Sequence, residues 1–228
     1  SSASTSDAAL TLVTTFRYSN AIFGYNSSNN IGAGLNGMIN PNLDWGNPVF
    51  LGVDGAGGGH EIIADGYGYN GSTLYHHLNL GWDGDYDVWY NLPNIDDAYS
   101  PYNVVDETIY NIFISGTGEI ISGRVTADGS GAPISGATVT ALKTGSTYEA
   151  ATNAKGIYAI ANVPSNSTYT VSVTKSGYSF TNRTASTGLS QDYHAVSGNC
   201  WGIDFVSAQI GSLQVNITPA DAISAGAQ

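Results

Sequence analysis

Between residues 119 and 208, apolar and polar positions alternate. Turn-forming residues interrupt the alternation roughly every ten positions. Ile121, Gly123 and Val125 share one face. So do Val139 and Ala141, Tyr158 and Ile160, and Tyr169, Val171 and Val173. Turns are expected at 128–133, 153–156, 163–166 and 175–177. This pattern predicts a β-sandwich of about seven strands. The pattern before residue 116 is different. Ser6 or Asp7 is placed to cap a helix whose apolar period runs through Leu10, Val13 and residues 16–18. Residues 30–46 are rich in Asn and Gly and predict one weak helical turn around 35–39. A short apolar strand at 49–53 follows, then strands at 60–66 and 73–79, 87–92 and 108–114. The fold class expected is mainly β with minor α.

The run Ser115-Gly116-Thr117-Gly118 reads as a linker. It divides the chain into a first domain at 1–116 and a sandwich at 117–208. Residues 209–228 are expected to add one strand at 212–218 and a polar tail. That segment resembles the start of a further module, and its strand is expected to dock on an edge or pair with another chain.

Composition narrows the function classes. Among 228 residues, 42% are hydrophobic, enough for a core, and only 11% are charged. Six Lys and Arg face eighteen Asp and Glu, for a net charge of −12. That balance supplies no basic patch and argues against nucleic acid as a partner. No apolar run is long enough to predict membrane insertion. Abundant Gly and Tyr, the single cysteine and the lack of an initiating Met suggest a mature extracellular or cell-surface product from which an export signal was removed.

Chemistry concentrates in Gly57-Gly58-Gly59-His60 and Leu78-Asn79-Leu80-Gly81-Trp82. Asn70-Gly71 is a strong hairpin signal. A symmetric hairpin centred at about residue 70 sets His60 beside Asn79 at its open end. A thiol nucleophile needs an imidazole to share its proton, and the imidazole needs a third group to fix its tautomer. Asn79 can do that, and Trp82 can shield the contact from water.

These residues resemble the streptopain-like, papain-type cysteine peptidases. The matching pieces are Pro48-Val49, Gly58-Gly59-His60, Asp65-Gly66-Tyr67 and His77-Leu78-Asn79-Leu80-Gly81-Trp82, within roughly residues 5–115. The resemblance implies half of a papain-type α+β domain, with His60 as the catalytic histidine and Asn79 as its orienter. Leu80 stands where the family carries Trp. The family's nucleophilic cysteine lies upstream of the histidine, whereas Cys200 follows both His60 and Asn79 and sits in the other domain. It reads as a small, partly buried residue. The second segment resembles carboxypeptidase-regulatory-like and collagen-adhesin B-type sandwiches. It does so through Ile121–Val125, Ile134–Val139, Asn153–Tyr158 and Val163-Pro164. This implies an Ig-like or prealbumin-like fold and a spacer or adhesion role. Lys143, Lys155 and Glu149 are the residues available for an isopeptide bond.

Asp83, Asp85 and Asp87 form the candidate Ca²⁺ site, with a solvated acidic turn as the competing reading. No other cofactor is expected. His76 and His77 point to opposite faces of one strand and are read as structural. Tyr67, Tyr69, Tyr75, Trp82, Tyr86, Trp89 and Tyr90 pack across strands or line a peptide or sugar groove. Two functional expectations follow. The chain is a non-catalytic, self-assembling surface or filament subunit whose partners are copies of itself. Alternatively, it is the C-terminal part of an active extracellular peptidase, partnered by a separate upstream half that carries the cysteine, with peptide as substrate.

Overall fold

The computed structural model describes residues 4–96 and 101–208. The expected strand at 212–218 lies outside the described residues. The first half is a six-stranded antiparallel sheet in the order β1-β6-β2-β3-β4-β5. Its strands are β1 (Asn20–Tyr25), β2 (Val49–Gly55), β3 (Gly58–Asn70), β4 (Thr73–Asn79), β5 (Trp89–Tyr90) and β6 (Tyr102–Phe113). Helix α1 (Thr5–Thr14) covers β1 and β6 on one face, and α2 (Leu35–Trp45) covers the other. Between α2 and the sheet lie Met38, Ile39, Val49, Leu51, Ile62, Ala64 and Leu78, all buried.

The sandwich follows. Its four-stranded sheet runs β12-β11-β8-β9 and its three-stranded sheet β10-β7-β13. These are β7 (Glu119–Thr126), β8 (Thr138–Lys143), β9 (Ser146–Ala151), β10 (Ile157–Val163), β11 (Thr168–Thr174), β12 (Arg183–Ser186) and β13 (Phe205–Val206). Ile121, Val125, Val139, Ala141, Tyr158, Ile160, Tyr169 and Val171 form its core, as the alternation predicts.

The helices depart from expectation. Ser4, not Ser6 or Asp7, caps α1 by accepting from the Asp7 N–H. Leu10, Val13 and Phe16 face outward, at 60, 36 and 67% exposure. Small residues, Thr5 and Ala9, bring α1 onto the sheet instead. The weak turn expected at 35–39 is a helix of 11 residues that runs through Pro41. Proline has no N–H, so the Gly37 carbonyl loses its helical donor. The Asn199 side-chain amide replaces it, at 3.1 Å, from the other module. β5 is shorter than expected and β6 longer.

Asn199 belongs to a polar network that ties the modules together. Its amide also donates to Asn111 Oδ1 at 2.9 Å, and its oxygen accepts from the Ile120 N–H at 2.8 Å. Asn111 holds a left-handed backbone at φ 49° and pairs with Asn42 of α2 through its N–H and its side chain. Asn42 and Asn111 are fully buried with their bonds made, the condition under which buried amides do not destabilise. A second tie runs along the free edge of β1. The Asp192 carboxylate accepts from the Phe23 N–H, the Tyr193 N–H donates to the Phe23 carbonyl, and the Tyr25 N–H donates to the His194 carbonyl. The sandwich thus lends the first sheet an extra edge segment.

Candidate functional site

The β3–β4 hairpin places its residues in a register other than the one expected. Asn70 pairs with Thr73, so the two-residue loop is Gly71-Ser72 rather than Asn70-Gly71. A bulge between Ala64 and Gly66 shifts the pairing again. Asn79 therefore faces Ile63, while His60 lies beyond the end of β4 and pairs with Val53 of β2. His60 and Asn79 are not side by side, and Asn79 does not orient the imidazole. It is exposed, and its oxygen accepts from the Gly81 N–H at 2.9 Å. That bond shapes the turn after β4.

The orienting group is the Leu80 main-chain carbonyl, 2.8 Å from His60 Nε2. A carbonyl oxygen only accepts, so Nε2 carries the proton in the neutral ring and Nδ1 keeps its lone pair. Leu80, where the side chain differs from the family pattern, contributes through its backbone, which no side-chain pattern reveals. Its own N–H donates to Asp87 Oδ1 at 2.8 Å, and its buried side chain anchors the segment in the core. Trp82 lies against His60, although not over the His60–Asn79 contact expected of it. Its ring stacks on His60 with centroids 5.2 Å apart and planes 21° from parallel. Tyr102 of β6 lies at 6.2 Å, also near parallel. The imidazole is thus held between aromatic rings and one carbonyl.

A cleft of about 500 Å³ opens beside His60, lined among others by Asp54, Glu61, Asp106 and Glu107. Glu61 and Glu107 flank Gly52, where a Cβ would collide with Glu107. The Thr5 hydroxyl contacts both carboxyl groups. Burial holds Glu61 above the usual carboxylate range, and the neighbouring Glu107 adds to that. Sequence reading missed this group, because its members come from α1, β3 and β6.

Among the described residues no three His, Cys, Asp or Glu side chains converge as a metal site. Asp83, Asp85 and Asp87 do not gather into a Ca²⁺ cluster: Asp83 has φ 58° in the turn, and Asp87 is turned to the Leu80 N–H. His76 is buried and bonds Asn40 at 2.8 Å, with its pKa pushed down to about 4 by burial. His77 pairs instead with Asp65 at 2.7 Å. Cys200 packs against the sandwich core and donates to the Ser186 carbonyl. Burial pushes its thiol up to about 11, with Glu119 adding to the shift, the opposite of an activated nucleophile. Lys143 bonds Ser167, and Glu149 bonds Thr140, so they do not meet in an isopeptide arrangement.

Residues 1–90 match the Peptidase C10 family. Residues 120–195 match the carboxypeptidase regulatory-like domain. Both assignments agree with the resemblances read from the sequence. Over 117 residues, 49% of the chain, there is 34% identity to Chitinase ChiA of Flavobacterium johnsoniae, of which this stretch spans 7%. The shaft pilin SpaA of Lactobacillus rhamnosus GG is 13% identical, with a TM-score of 0.32 over 72% of this chain and 71% of that one. A type II cohesin–X-dockerin complex of Acetivibrio cellulolyticus is 27% identical, with a TM-score of 0.26 over 47% and 71%. His60 lies within the segment that matches the Peptidase C10 family. No helix of the described residues is long and apolar enough to cross a membrane.

Proposed function

We propose that residues 1–116 are the histidine-bearing half of an extracellular cysteine peptidase domain, with the sandwich as a rigid extension. The observation that carries this reading is the Nε2 contact of His60 with the Leu80 carbonyl, backed by the Trp82 stack. It leaves Nδ1 as the base, which a thiol at hydrogen-bond distance would use. Cys200 is held in the other core and is not that thiol. The nucleophile comes from the upstream half of the domain, and the substrate is a peptide bond. The stack and the carbonyl fix the ring, and the thiolate–imidazolium pair supplies the nucleophile. The test is an active-site thiol probe on native material, followed by mass spectrometry of the labelled polypeptide. Label on a cysteine upstream of this segment, lost in His60→Ala, supports the reading. Absence of label with the upstream half present defeats it.

A second reading, a non-catalytic surface subunit that assembles with copies of itself, draws on a different observation. Leu10 of α1, Phe16 just after it and Ile114 after β6 are exposed at 60, 67 and 78%. Such apolar residues gain by being covered. Native particles containing only this polypeptide at very high mass would favour assembly. One-to-one association with a cysteine-bearing half would favour the peptidase.

A further inference from the structure

The far end of the first sheet carries a feature that the His60 chemistry does not use. Side chains alternate along β4 and β5, so His76, Leu78 and Tyr90 point into the core while Tyr75, His77 and Trp89 point away. Helix α1 packs on β1 and β6 and touches β3 through Thr5 at Glu61, away from the β4–β5 edge. Trp89 is 52% exposed on a two-residue edge strand. Its indole reaches across β4 to β3. There, Cβ atoms added at Gly66 and Gly68 would lie 3.7 and 3.5 Å from the ring. Neither glycine has a positive φ, so they do not serve a turn. Their missing side chains make a smooth floor on which the indole rests. His77 meets its edge, with centroids 5.3 Å apart, and is itself held by Asp65.

Two clefts meet at this indole. One, of about 390 Å³, lies toward Tyr69, Asn70 and Tyr75. The other, of about 410 Å³, runs from Gly66 to Asn153 and Lys155 on the sandwich loop between β9 and β10. The result is an open groove with an aromatic platform in the middle and amide groups toward both ends. A large half-exposed ring at the centre of a cleft costs solvation unless a flat apolar partner covers it. Pyranose rings have such flat C–H faces, and their hydroxyls match the amides of Asn70 and Asn153. The one ion pair in the groove, His77–Asp65, satisfies itself. The net charge of −12 disfavours an anionic ligand.

We propose that this groove binds a neutral oligosaccharide chain, with Trp89 stacking on one sugar ring and the junction of the modules reading its neighbours. The test uses the full 228-residue chain with cellohexaose, chitohexaose and xylohexaose, followed by calorimetry and tryptophan fluorescence. At least one of the three binds and changes the fluorescence. Trp89→Ala weakens that binding by about tenfold or more, and Trp89→Phe by less. Because the ring is half exposed on an edge, both variants keep the wild-type melting temperature. Gly68→Leu, which lifts the indole off its floor, weakens binding with Trp89 intact. Failure of all three sugars to bind overturns the proposal. So does binding that survives Trp89→Ala, or Trp89-dependent binding shown only by a proline-rich peptide.

Discussion

The surroundings of His60 and the junction of the two modules use polar groups in opposite ways. At the junction, Asn42, Asn111 and Asn199 bond one another and nearby backbone groups, with Asn42 and Asn111 out of contact with water. At His60 a single backbone carbonyl and stacked rings do the positioning, and the exposed glycines Gly57, Gly58 and Gly59 lead up to it. The buried side-chain amides hold the architecture, whereas the His60 ring is held by backbone and aromatic surface. Damage to one region should therefore read out as stability, and damage to the other as geometry.

The sharpest way to break that contrast is Asn111→Ala. It removes bonds to Asn42, Asn199 and Gly118 and puts a Cβ-bearing residue without a polar side chain at φ 49°. A loss of about 3 kcal/mol is expected. For a chain of this size that is a fall of roughly 6–12 °C in melting temperature. His60→Ala, at a half-buried position, should cost about 1 kcal/mol or less. Equal melting temperatures for the two variants would erase the distinction.

Acid comes next. His76 has a folded pKa of about 4 against an ordinary 6.5, because burial resists its charge. Above pH 6.5 neither state is protonated and nothing is lost. As pH falls from 6.5 toward 4 the unfolded chain takes up the proton first, and stability drops by up to about 3 kcal/mol. His76→Gln should flatten that acid limb in a pH series of melting curves, and an unchanged slope would assign it elsewhere.

A smaller effect of the opposite sign belongs to Asp44, at the end of α2. The Tyr67 and Ser122 hydroxyls each donate to it at 2.7 Å, so it joins both modules. Burial outweighs those bonds and raises its pKa to about 6. Between pH 4 and 6 the folded state keeps a proton that the unfolded chain has released, so stability falls as pH rises and stays lower above 6. Asp44→Asn should stabilise the protein at pH 8 by about 1–2 kcal/mol, allowing for partial solvent access, and leave it unchanged near pH 4. Stabilisation at both pH values would remove the carboxyl from the explanation.

The smallest expected effect concerns Asn79. Since the Leu80 carbonyl fixes the ring, Asn79→Ala should leave the His60 Nε2–H tautomer in place, as read from imidazole ¹⁵N shifts. Trp82→Ala should broaden or mix those signals. A tautomer change in Asn79→Ala would restore the side chain as orienter.

The sandwich was legible because its strands bury one face, so Val139, Ala141, Val171 and their partners carry the period themselves. The helices were less so. Helix α2 contains Gly37, Asn40, Pro41 and Asn42, poor helix formers whose deficits are made good by contacts from remote residues such as Asn199 and Asn111. His60 and Trp82 stand together as their spacing suggests, but Asn79 pairs elsewhere. One loop position and one bulge decide that register, and neither leaves a hydrophobic trace. The Leu80 carbonyl and the Thr5–Glu61–Glu107 group depend on backbone position and on three separate elements, which lie beyond any local pattern.

The segment Asp192–His194 along β1 bears on how such a gene can be rearranged. Cassettes that are exchanged between proteins are cut at linkers, and Ser115–Gly118 looks like a cut site. Severing there would bare the β1 edge, strand the Gly37 carbonyl and leave Asn111 without Asn199. The donor half would arrive with an open edge ready to seize another chain, and the sandwich with a loop that has nothing to grip. Selection acting on fragments would therefore tend to transmit the two pieces together, as a single heritable block.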